Sequence, residues 1–110
     1  MAKSTGLEDV VALSSGSMST SVESLPVQIA LVNNFSVQAN IVGAPVGNIK
    51  LMISNDGINY GDYPSASVNL TGTGPTPVIW DVSRSSSNWV KVVYTATSGT
   101  GTLTVLVTRK

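Results

Sequence analysis

The sequence predicts an all-β fold: a single antiparallel β-sandwich, jelly-roll-like or immunoglobulin-like, of about seven or eight strands with an N-terminal arm. Three observations carry this. Apolar residues alternate with polar ones through most of the chain after residue 26. Turn residues rich in Gly, Asn, Ser and Pro recur every ~8–12 residues, and no long segment there shows the three-and-four spacing of a helix.

Taken in order, Val27 to Val32 is a short apolar run closed by Asn33-Asn34. Phe35, Val37, Ala39 and Ile41 alternate with Ser36, Gln38 and Asn40, the period of a half-buried strand. Gly43-Ala44-Pro45 interrupts it. Ile49, Leu51 and Ile53 then share one face, with Lys50 and Met52 on the other. Asn55-Asp56-Gly57 is a turn, because Asn and Gly tolerate positive φ. The piece from Ile58 to Tyr63 is expected to return beside the strand before it.

Ala66 to Leu70 reads as a weak strand and residues 71–77 as a loop. Val78, Trp80 and Val82 share a face. After a polar loop, Trp89 to Thr97 places Val90, Val92, Tyr94 and Ala96 together. Ser98-Gly99-Thr100-Gly101 turns the chain into a last strand with Leu103, Val105 and Val107 inward. By local rules these final two strands are a hairpin, and nine of these residues, Val78, Trp80, Val82, Val90, Val92, Tyr94, Leu103, Val105 and Val107, form the core.

Residues 1–25 differ in composition, mixing Ser, Thr, Gly and Met with an apolar patch at Leu7, Val10, Val11 and Leu13. Val10 to Leu13 fits either a turn of helix or an extra strand. The shift near Pro26 divides the chain into an arm, 1–25, and a sandwich domain, 26–110. A polar arm of this kind is ordered mainly when docked, on its own domain or on a neighbouring chain; the neighbour is the favoured reading and makes Leu7, Val10, Val11 and Leu13 candidate anchors on it.

Composition narrows the function. Six basic residues balance six acidic ones, so no net charge steers the chain to nucleic acid or anionic lipid. Charged residues make up 11%, against about 25% in ordinary domains, a neutrality that gives little protection against self-association. No window approaches the roughly 18 apolar residues that span a bilayer. The first residues lack the apolar stretch of a secretory signal, so synthesis and folding in a cytoplasm are expected.

Catalysis finds no footing. Without cysteine or histidine, thiolate chemistry, zinc sites and the commonest general base are excluded. A serine nucleophile would need a lysine base, yet Lys3, Lys50, Lys91 and Lys110 follow no Ser-x-x-Lys pattern. The expectation is no enzyme, no catalytic residue, no cofactor and no metal. Asn55 to Asp62 offers oxygens around a glycine but lacks the alternating acids and closing Glu of a calcium loop, so a turn chosen for backbone geometry is the plainer reading. Trp80, Trp89, Tyr60 and Tyr63 could form an aromatic platform for a sugar ring; Trp80 fits the core better, leaving Trp89 and Tyr60 as candidate stacking residues.

The run Ser54-Asn55-Asp56-Gly57-Ile58-Asn59-Tyr60, with the later strands Trp80-Asp81-Val82 and Lys91-Val92-Val93-Tyr94-Thr95 and the closing segment 98–105, resembles small β-sandwich structural proteins of bacteriophage virions. The resemblance covers residues 35–110. It implies a head-decoration, tail or fibre component that acts by protein–protein assembly, with other virion proteins or copies of itself as partners, in an oligomer or lattice. The same motif also occurs in secreted carbohydrate-binding sandwiches, which keeps a glycan- or receptor-binding adhesin as the alternative; those modules often carry Trp where this chain has Tyr60.

Overall fold

The computed structural model describes residues 9–30, 32, 34–72, 77–83 and 87–109. These contain ten strands and no helix: β1 Asp9–Ser17, β2 Val22–Glu23, β3 Val27–Gln28, β4 Phe35–Gly43, β5 Val46–Ser54, β6 Gly61–Asp62, β7 Val68–Thr71, β8 Val78–Val82, β9 Trp89–Ser98 and β10 Gly101–Arg109. They form two antiparallel sheets packed face to face, so the expected sandwich is present. One sheet runs β1-β10-β4-β8. In the other, β9 and β5 are central; β2 and β3 pair with β9, while β6 and β7 pair with β5.

The alternating side chains seal the space between the sheets. Phe35, Val37 and Ala39 of β4 and Leu103, Val105 and Val107 of β10 face Ile49, Leu51, Val90, Val92 and Tyr94 from the other layer, all buried. Removing this apolar surface from water is the main stabilising term. Register holds it in place: Val105 lies opposite Ala39, and Leu51 opposite Val92. A one-residue slip would turn either set outward.

Of the nine core residues expected on β8, β9 and β10, eight are buried. Trp80 is half-buried, because β8 is an edge strand and its indole reaches out to donate from Nε1 to the Ala66 carbonyl at 2.9 Å. Met52 is likewise half-buried, on the outer side of β5.

Two expectations need correction. The final strands are not a hairpin: β9 pairs with β5, β2 and β3, whereas β10 lies between β1 and β4 in the other sheet. The turn at residues 98–101 crosses the sandwich beside the β4–β5 connection, where the Ala44 N–H donates to the Thr100 carbonyl. A short glycine-containing turn serves a hairpin and a sheet-to-sheet corner equally, so the local sequence does not separate them.

The second correction concerns the arm. Residues 9–25 are part of the sandwich, not a segment outside it. β1 pairs with β10 from Asp9↔Thr108 to Ser17↔Thr102, β2 pairs with β9, and Ala12, Met18 and Ser24 are buried. Val10 and Leu13 pack against the core, while Val11 is 56% exposed on the outer face. Leu7 lies outside the described residues. Register shifts between Val11 and Leu13 and between Leu13 and Gly16 break the alternation, which is why the strand does not read as one from its sequence. Bulges of this kind insert residues without a partner.

Candidate functional site

The Ser54–Tyr60 segment leaves β5 and closes on itself through its own side chains. Buried Ser54 is the hub: its Oγ accepts the backbone N–H groups of Gly57 at 2.9 Å and Asp56 at 3.2 Å, and donates to Asp56 Oδ1 at 2.9 Å. Asp56 Oδ1 also accepts the N–H groups of Ile58 and Asn59, both at 2.8 Å. Asp56 Oδ2 accepts from Asn59 Nδ2 at 3.0 Å. These donors, the backbone N–H of Asn59 foremost, hold the exposed Asp56 carboxyl well below the usual carboxylate range.

Gly57 completes the turn at φ +75°, a conformation that costs an L side chain about 1–2 kcal/mol. A Cβ there would also stand 2.9 Å from Trp89 Nε1. Ser54 Oγ, both Asp56 carboxylate oxygens and Gly57 thus each have a structural task. Both Asp56 oxygens face the loop's own donors, so the segment is built as a self-satisfied turn.

Trp89 and Tyr60 are brought to the same end of the β9 sheet. Trp89 pairs with Ser54 across the ladder and lies half-buried against Gly57. Tyr60 is half-buried, with Lys91 Nζ 4.4 Å from its ring centroid and its hydroxyl buried without a hydrogen-bond partner. Lys91 also pairs with Glu23 of β2 at 3.0 Å. The cation occupies one face of the Tyr60 ring, so the two aromatics do not form a bare platform. Beside them a shallow hollow of about 340 Å³ is lined by Ile53, Ser54, Asn55, Asp56, Asn59 and Ser87.

The outer face of the four-stranded sheet is the other broad surface. Val11, Leu106, Gln38 and Ile79 stand in one cross-strand row through β1, β10, β4 and β8. Thr104 and Asn40 lie on one side of it, Thr108, Ser36 and Asp81 on the other. Val11 and Ile79 are exposed, as is Val42 at the end of β4. The acidic positions of the face, Asp9 of β1 and Asp81 of β8, stand at the two ends of that last row. The anchors expected to dock elsewhere divide here: Val11 belongs to this face, and Val10 and Leu13 to the core. What sequence reasoning missed is this face itself, because its row draws one residue from each of four strands, and the fourth strand, β1, was hidden by its bulges.

No protein-family model matches the chain, and no curated protein matches it in sequence. Among solved structures, the SPBc2 prophage-derived protein YomS has a similar fold, with a TM-score of 0.61 over 93% of this chain and 92% of that one, at 12% sequence identity. The two chains share their sandwich from end to end.

Proposed function

We propose that this protein is a structural component of a bacteriophage virion, capsid-associated or of decoration or tail-fibre type, which acts by protein–protein assembly. The observation that carries this reading is the end-to-end fold likeness to a prophage-derived protein. The neutral composition and the exposed apolar Val11, Val42 and Ile79 of the four-stranded sheet support it, since both suit a chain packed among others. The chain is made in the host cytoplasm and ends in the particle. Its partners are other virion proteins and further copies of itself.

The test is co-purification. Particles banded on a density gradient from the host that carries this gene should contain the chain after high-salt washing. Its complete recovery in the soluble fraction would refute the proposal.

A glycan- or receptor-binding adhesin is the second reading. It draws on the half-buried Trp89 and Tyr60 and on the nearby hollow lined in part by Asn55 and Asn59. It requires saturable binding on a broad glycan array, lost in Trp89→Ala.

A further inference from the structure

A sandwich has open sheet edges, and proteins normally guard them with bulges, charges, proline or brevity. Three edges of this one are guarded. β1 carries two register shifts and a residue at positive φ, Ser15 at 51°. On the β9 side the edge is two strands of two residues each, β2 and β3, with Pro26 between them. On the β5 side it is split between β6, of two residues, and β7, of four.

β8 is different. Its five residues pair with β4 in unbroken register from Phe35↔Val82 to Ala39↔Val78. It contains no lysine, proline or glycine within its five residues, although Pro77 directly precedes it, and its one charge is Asp81. Among the described residues nothing pairs with its free side, and an open groove of about 270 Å³, lined in part by Tyr63, Ser65, Trp80 and Asp81, runs alongside.

We propose that β8 is a self-association edge: a second copy of this chain adds its own β8 antiparallel to the first, joining the two four-stranded sheets into one. Three features favour a copy as the occupant. An antiparallel strand pair satisfies a two-fold axis, so one edge serves both partners. The edge is nearly uncharged, so it meets itself without repulsion provided the two Asp81 side chains are kept apart. The register with Ile79 opposite Ile79 of the second copy does this, since it sets Asp81 against Pro77. That register also continues the row Val11-Leu106-Gln38-Ile79 across the axis, so the apolar stripe of each outer face runs into that of the other.

In that register Val78 to Trp80 of the two copies face each other, too few residues to bury the about 1,200 Å² of a stable interface. The contact is therefore weak for an isolated pair and gains strength where many copies are held together. The inference rests on the assembly reading for its use, but the pairing is a property of the purified chain and is tested apart from any particle.

The test is sedimentation equilibrium of the full chain from low micromolar to near-millimolar concentration, with hydrogen exchange read at the β8 amides. The wild type should dimerise at the upper end, with β8 amides gaining protection as dimer forms. Ile79→Lys sets two cations opposite each other and should weaken dimerisation about tenfold or more with an unchanged unfolding curve. Val42→Lys, exposed on the same sheet but away from β8, should dimerise as the wild type does. A wild type that stays monomeric, with β8 amides exchanging alike at all concentrations, overturns the proposal and leaves the edge to a strand of another protein. Equal loss in Ile79→Lys and Val42→Lys also overturns it, because the sheet face and not the edge would then be the contact. If particles contain the chain while the purified chain stays monomeric, this inference falls and the assembly reading stands.

Discussion

Replacing Tyr94 by phenylalanine removes one oxygen from the centre of the molecule. Tyr94 is completely buried on β9, between Ile49 of β5 and Val22 of β2. Its hydroxyl donates to the Val46 carbonyl at 3.0 Å. The ring lies beneath Gly47, where a Cβ would stand 2.8 Å from the hydroxyl oxygen and run into the Thr95 carbonyl. Losing the hydroxyl forfeits one net hydrogen bond and leaves a carbonyl short of a donor, about 1–2 kcal/mol together. Tyr94→Ala empties the whole site, at about 3–5 kcal/mol, a large share of the roughly 5–15 kcal/mol that a domain possesses. Gly47→Ala should be severe alone and only partly relieved by Tyr94→Phe, because the Thr95 carbonyl is backbone and cannot yield. Urea unfolding followed by tryptophan fluorescence gives all four stabilities, with the slope m serving as a check that the folded state is unchanged. If Tyr94→Ala cost less than about 1 kcal/mol, or Tyr94→Phe fully rescued Gly47→Ala, the register of β5 on β9 would be wrong.

Further outcomes follow from the same geometry. Deleting residues 1–25 removes β1, β2 and buried Ala12, Met18 and Ser24, so circular dichroism should find the truncated chain unfolded; a folded product would restore the separate arm. Leu51→Ala should cost about 2–5 kcal/mol and Met52→Ser under about 0.5 kcal/mol, read by chemical denaturation, since these neighbours face opposite sides of β5. Asp56 is held ionised by its loop, so it stabilises the fold above the ordinary carboxylate range, and that contribution is lost as pH falls through its lowered folded value; carboxyl resonances followed by NMR should show Asp56 still ionised when ordinary aspartates are protonated. Burial pushes the Tyr94 phenol up, so folded stability falls as pH rises past the ordinary tyrosine value. Ultraviolet titration should find Tyr94 ionising above the ordinary tyrosine value.

The parts of the fold legible in the sequence are those where one face is buried without interruption. β4, β5, β9 and β10 alternate over most of their length, and their inward sets form the observed core or, at Ile41, Ile53 and Ala96, pack half-buried against it. β1 is only half legible: two bulges reset its phase, so that Val10 to Leu13 fits a turn of helix as well as a strand, and Leu7, Val10, Val11 and Leu13 read as a loose apolar patch. The crossing at residues 98–101 was illegible for another reason: sheet membership depends on partners distant in sequence, Ala39 for Val105 and Leu51 for Val92. The Ser54–Asn59 turn was legible as a turn, but its hydrogen bonds to Ser54 and Asp56 were not. Trp80 is only half-buried because β8 is an edge strand, and nothing local in the sequence marks it as an edge.

The most direct test of the assembly account is a density map of the purified particle. The chain should appear as repeated two-layered slabs of 40 × 35 × 20 Å, each turning a β-sheet face or edge toward a neighbour. Particles in which every sandwich of this shape is accounted for by other chains, and in which this protein is absent, would contradict it.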